Sequence, residues 1–257
     1  MADGPVAFVC AMPMEAKAVT KRLGLRRSSL GGGPAWTGTV ADRPALAIVT
    51  GMGTRLAAEW IERLLDAVTP SHVLVVGITG AVDDETPIGT VIRPDRVIDH
   101  ATGREHTHHP LGPGEAHGAL WTTDVITPAS ELPALRARGV VALDMETAAI
   151  AQACEAAGVP WSVVRAISDR ATDGSVDDDV FHLARQDGRP DPGAVARYLV
   201  RHPGRIPGLV RMGRDASLAA RRADAEARGW KPRNRVRVGS PALKIFAMLA
   251  QSADRGG

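Results

Sequence analysis

The chain has 257 residues, 44% of them hydrophobic and 23% charged, with a formal net charge of +2. That content suffices for one well-buried α/β domain, and no continuous apolar run approaches the ~20 residues of a bilayer span, so a helical membrane protein is excluded and a soluble one expected. Cys10 and Cys154 stand alone in apolar surroundings without a CxxC pair, which excludes a disulfide framework; with no basic region and apolar core at the N-terminus, a cytoplasmic protein is expected.

The pattern begins with a short β-rich run at 7–10, followed by a helix starting near Pro13 with Glu15 in its first turn. An acid there interacts favourably with the helix dipole, so capping alone accounts for it. Gly31-Gly32-Gly33-Pro34 and Asp42-Arg43-Pro44 read as turns around an extra hairpin strand, 35–40. A strand at 45–50, a helix at 55–67 with Leu56, Trp60, Leu64 and Leu65 at helical spacing, and a strand at 73–77 follow. Strands alternating with helices predict an α/β fold with a mostly parallel sheet.

Two further features stand out in this half. Gly77-Ile78-Thr79-Gly80-Ala81 reads as a turn at the end of strand 73–77, where glycine lets backbone approach a ligand closely. Arg55 follows strand 45–50 at what would be the same sheet edge; it is either a solvated residue of the first helical turn or a phosphate-binding group. The loop from His100 to His117 holds His106, His108 and His109, but it lacks HExxH spacing and is rich in Gly and Pro, so it is expected to shape a pocket rim and to hold no metal. No cofactor is expected.

Residues 140–173 carry the densest signal. A strand at 140–143, a helix at 145–157 stopped by Gly158-Val159-Pro160, and a strand at 161–167 predict a parallel βαβ unit. Both strands of such a unit end on one edge, so Asp144-Met145-Glu146 and Ser168-Asp169 are expected to converge there. The bland alternative makes Asp144 a helix N-cap and Asp169 a loop acid.

The wording of this segment favours the convergent site. DMETAAIAQAC, 144–154, followed by VPWSVVRAISDRATD, 159–173, resembles the signature region of the purine nucleoside phosphorylase and nucleosidase superfamily, and most of all the methylthioadenosine/S-adenosylhomocysteine nucleosidases. The resemblance implies a single three-layer domain with a central twisted, mostly parallel sheet. It implies Met145 and Glu146 at the ribose, and Ser168 and Asp169 at the purine. It further implies that Glu15 meets the attacking water and that Gly77 and Ile78 touch base and sugar. Asp144 stands where the nucleosidases often have Glu, Pro13 and Met14 replace two acids next to Glu15, and Ile78 takes a place where a hydroxyl residue is common. The implied activity is cleavage of a purine N-glycosidic bond, with Asp169 as acid at the base and Glu15 as activator of water. A dimer or larger homo-oligomer is implied too.

The C-terminal part is a separate electrostatic object. Residues 197–237 contain eleven Arg and Lys231 against Asp215, Asp224 and Glu226, a net of +9, so the rest of the chain sums to −7. The division expected is a nucleosidase-like domain over 1–200 and a basic, partly helical extension over 201–257, with one helix near 209–228. That face is either solvated or drawn to an anionic membrane surface; nucleic acid is not expected, because Trp230 is the single stacking aromatic within 209–237. Asp177-Asp178-Asp179 reads as the acidic first turn of a helix over 180–184. Residues 186–191, 199–204 and 208–216 resemble the C-terminal portion of the hopanoid-associated phosphorylases, which implies a lipid-linked nucleoside as the alternative substrate. A third alternative is a non-catalytic nucleoside-binding protein.

Overall fold

A computed structural model describes residues 4–40, 43–108 and 116–170. In chain order the elements are β1 (Val6–Cys10), α1 (Pro13–Arg22), β2 (Arg26–Leu30), β3 (Gly33–Val40), β4 (Arg43–Val49), α2 (Thr54–Ala67) and β5 (His72–Ala81). They continue as β6 (Val91–Ile92), β7 (Arg96–Asp99), β8 (Glu105–Thr107), β9 (Ala119–Thr122), α3 (Leu132–Ala137), β10 (Val140–Asp144), α4 (Thr147–Ala156) and β11 (Trp161–Asp169). The expected helix over 180–184, the tail helix, the domain boundary at 200 and His109 lie outside the described residues.

The layering follows from the apolar strands. All five residues of β1 are buried; Ala7 and Val9 join one core cluster, while Val6, Phe8 and Cys10 join the other. A strand apolar on both faces must be covered on both. α1 covers one face with Ala16 and Val19, and α2 and α4 cover the other with Ala57, Ile61, Leu64, Ile150 and Cys154. The result is the expected α/β arrangement of helix, sheet and helix layers. Among the described residues, no helix is long and apolar enough to cross a membrane.

β5 is the strand around which the site is built. β1 lies parallel to its first four residues, Val6 opposite His72 to Val9 opposite Val75, while β11 lies parallel to it from Trp161 opposite Val73 to Asp169 opposite Gly80. β10 then joins its end antiparallel, with Ala142 opposite Ala81 and Leu143 opposite Gly80. This corrects two expectations. Residues 77–81 are strand, not turn, because β11 and β10 pair with them and supply the ladder bonds a turn would forgo. β10 and β11 are not neighbours in a parallel βαβ unit; β10 is parallel to β9 and enters β5 from the opposite direction.

The N-terminal hairpin is also longer than its turn residues suggest. β3 begins at Gly33, inside the predicted turn, and the unforeseen β2 pairs with it from Arg26 opposite Thr37 to Leu30 opposite Gly33. A Cβ on Gly33 would collide with the Trp60 ring at 1.8 Å, so glycine here admits α2 against the hairpin.

Candidate active site

Arg165 organises the site. It sits in the middle of β11, a strand whose first eight residues are all buried, and it is 1% exposed. A guanidinium that deep requires counter-charges, and three carboxylates meet it. Its Nη2 lies 2.5 Å from Asp144 Oδ2 and 3.3 Å from Glu146 Oε2, and its Nη1 is 4.0 Å from Glu15 Oε1. Nη1 also donates to the carbonyl of Ile78 at 3.2 Å, and Nη2 to the Thr147 hydroxyl at 3.0 Å. Burial works against its charge, but Asp144, Glu146 and Glu15 together raise its pKa above the ordinary arginine value.

The topology explains how residues so far apart in sequence meet. β10 runs down onto the top of β5 and stops at Asp144, beside the stretch of β5 that pairs with Arg165. Thr79 ties the junction: its hydroxyl donates to the Leu143 carbonyl at 2.6 Å, and its own carbonyl lies 3.2 Å from Ser168 Oγ. The convergence of Asp144-Met145-Glu146 with Ser168-Asp169 thus arises from antiparallel entry of β10, not from a shared parallel edge.

Glu15 reaches the same point from the first turn of α1. Its Oε2 accepts from the Met12 N–H at 2.7 Å, the capping bond expected of an acid at this position, while Oε1 accepts from the Ile78 N–H at 2.8 Å. Capping and a place in the site are therefore the same geometry. Burial raises the Glu15 pKa, offset in part by Arg165 and by the backbone donors. Glu146, in the bend before α4, accepts from the Gly53 N–H at 3.0 Å; burial pushes its pKa up to about 7, Arg165 opposes the shift and Asp144 adds to it.

At the end of β11, Ser168 Oγ lies 2.6 Å from Asp169 Oδ1, and Asp169 is partly open to solvent. Met145 is half-buried in the bend that carries Glu146. Gly77 lies against the cluster itself, since a Cβ there would come within 2.4 Å of both Arg165 Nη1 and Glu15 Oε1. Arg55, the phosphate candidate, pairs with Glu59 one turn along α2, and its side chain is 64% exposed. Of the histidine loop, residues 109–115 lie outside the described residues. His106 Nδ1 contacts Glu155 at 2.9 Å, and His108 stacks 4.9 Å from Trp161, at the opposite end of β11 from Asp169.

Sequence reasoning passed over Arg165, Thr122, Thr147 and Gly53. For Arg165 the signal was present: a lone charge within WSVVRAI, a run otherwise apolar enough for a doubly buried strand, must have buried partners. For Thr122 and Gly53 there was none, because each acts through a contact set by tertiary folding.

Comparison with known proteins now adds to the geometry. The family described as "Phosphorylase superfamily" matches residues 5–124 and 115–201, most of the chain. The chain belongs to this superfamily. The superfamily match supports an enzyme of the nucleosidase or phosphorylase type. The superfamily fold also recurs in solved structures. Futalosine hydrolase of Helicobacter pylori superposes with a TM-score of 0.65 at 14% identity, over 95% of this chain and 97% of that one. The 5′-methylthioadenosine/S-adenosylhomocysteine nucleosidase of Neisseria meningitidis, in complex with methylthio-immucillin-A, gives 0.62 at 18% identity over 96% and 99%. The S-adenosylhomocysteine nucleosidase of Streptococcus pyogenes gives 0.59 at 20% identity over 84% and 98%.

Proposed function

We propose that this superfamily member hydrolyses the N-glycosidic bond of a purine nucleoside and releases the free base. The observation that carries the proposal is the pair of glutamates on either side of one guanidinium: Glu15 is clamped by two backbone N–H groups, and Glu146 is held by Arg165 and Gly53. Breaking the C1′–N9 bond leaves positive charge on the sugar and sends the bonding electron pair to the base. Asp169 protonates the base at N7, water bonds to C1′ and gives its proton to Glu15, and Glu146 accepts hydrogen bonds from the ribose hydroxyls. Ser168 supports this role of Asp169 by orienting its carboxyl: Ser168 Oγ, anchored 3.2 Å from the Thr79 carbonyl, donates to Asp169 Oδ1 at 2.6 Å. Met145 supplies apolar surface beneath the sugar.

Water is favoured over phosphate by charge. Both terminal nitrogens of Arg165 are already engaged by carboxylates and a carbonyl, and Arg55 is turned to Glu59. A phosphate dianion entering here would meet negative charge in a dry site. The resemblance of 186–191, 199–204 and 208–216 to hopanoid-associated phosphorylases keeps a lipid-linked nucleoside as the second substrate class.

Incubation with methylthioadenosine, adenosylhomocysteine and an adenosyl lipid, with and without phosphate, tests both readings. Adenine release independent of phosphate is expected; release that requires phosphate overturns hydrolysis, and no release from any of them points to a binding protein. Asp169→Asn is expected to lower base release by about 10²–10⁴-fold. Near-normal release in that variant would remove Asp169 from its assigned role.

A further inference from the structure

Asp144 is placed differently from the two glutamates. Its Oδ1 accepts from the Thr122 hydroxyl at 2.6 Å, and its Oδ2 from the Thr147 N–H at 3.2 Å, from the Thr147 hydroxyl and from Arg165 Nη2 at 2.5 Å. Thr122, at the end of β9, is itself fixed by the Ala148 N–H, which donates to its Oγ1 at 3.1 Å. Asp144 therefore has donors on both oxygens from β9, α4 and β11, and its contact with Arg165 is shorter than that of Glu146 or Glu15.

We propose that Asp144 is a positioning residue: it fixes and neutralises Arg165, and so leaves Glu15 to accept the proton of water and Glu146 to accept hydrogen bonds from the ribose. The inference rests on the hydrolytic reading for its consequence, not for its geometry. One guanidinium cannot balance three carboxylates, and of the three Asp144 has the most donors and the shortest contact with it. With Arg165 satisfied by Asp144, its pull on the other two is weakened. The ionisable groups that face one another here are Glu15 from α1, Asp144 and Glu146 from the β10–α4 bend, and Arg165 from β11. Asp169 closes the end of β11, and Asp124, after β9, holds the neighbouring loop through the Thr54 N–H at 2.7 Å.

Asp144→Asn keeps shape and removes the charge. In the wild type, carboxyl titration by NMR of protein labelled at glutamate side chains is expected to show Glu146 titrating near 7. In Asp144→Asn that midpoint falls by about one unit, because Arg165 now acts on Glu146 and Glu15 undivided. The acidic limb of the pH–rate profile falls with it, and kcat drops about tenfold with a smaller change in KM, as a weakened base requires. Unmoved glutamate midpoints in a folded Asp144→Asn protein overturn the proposal, as does an unmoved acidic limb. If Asp144→Asn does not fold, Asp144→Glu keeps the charge while displacing it: the midpoints stay and kcat falls, and a shifted midpoint or an unaltered kcat overturns it. A wild-type protein that releases no base from any nucleoside refutes the hydrolytic reading separately, and the titration then decides on Asp144 alone.

Discussion

At the scale of single residues, Gly77 shows how the absence of a side chain can be a requirement. The space its Cβ would occupy is filled by Arg165 Nη1 and Glu15 Oε1, each 2.4 Å away. Neither neighbour can retreat, since Glu15 is clamped by the Met12 and Ile78 N–H groups and Arg165 by Asp144. Gly77→Ala is therefore expected to destabilise the protein by about 1–3 kcal/mol through overpacking. It should also lower base release by about tenfold or more, because the added methyl strains the Glu15–Arg165 pair; urea unfolding and steady-state kinetics check the two effects. Near-wild-type values in both would mean that the cluster tolerates more room than its contacts indicate. Glycine was visible at this position in the sequence, but what it makes room for was not.

Among elements, β5 and the helices against it carry the most consequence. α2 packs on α4 and the sheet through Ala57, Ile61 and Leu64, all fully buried. Leu64→Ala leaves a cavity in that layer and is expected to cost about 2–5 kcal/mol in chemical denaturation, whereas Val125→Ala, at an exposed loop position, should stay within about 0.5 kcal/mol. The buried Cys154 of α4 gives a second probe of the same layer: burial pushes its thiol pKa up to about 12. At mildly alkaline pH its alkylation should track unfolding and accelerate in Leu64→Ala; rapid labelling of the native protein would contradict this packing. Helix positions such as 55–67 were legible from apolar spacing because α2 presents one buried stripe. The extension of β5 through 77–81 was not, because two glycines read as a turn until β10 and β11 pair with them.

For the whole molecule, the carboxylate cluster links the site to stability. The folded-state pKa of Glu146 is raised from 4.5 to about 7, and that of Glu15 is raised as well. Between the unfolded and folded values the native chain binds more protons than the unfolded chain, so this contribution to stability falls as pH rises from about 4.5 to about 7 and is lost above that. Glu146→Gln should flatten that portion of the curve when urea midpoints are compared from about pH 5 to about pH 7.5; an unchanged slope would show that Glu146 does not titrate there. The sequence alone determined the α/β class, strands β1, β3, β4, β10, β11 and the first part of β5, helices α1, α2 and α4, and the family, because periodicity and the 144–173 motif are local properties of the chain. It also marked Glu15, Glu146 and Asp169 as candidates. Only the tertiary structure decided that β10 enters β5 antiparallel and that Arg165 joins Glu15, Asp144 and Glu146. A buried charge is stable only beside its partners, and those partners come from elements that the chain brings together only when the sheet closes.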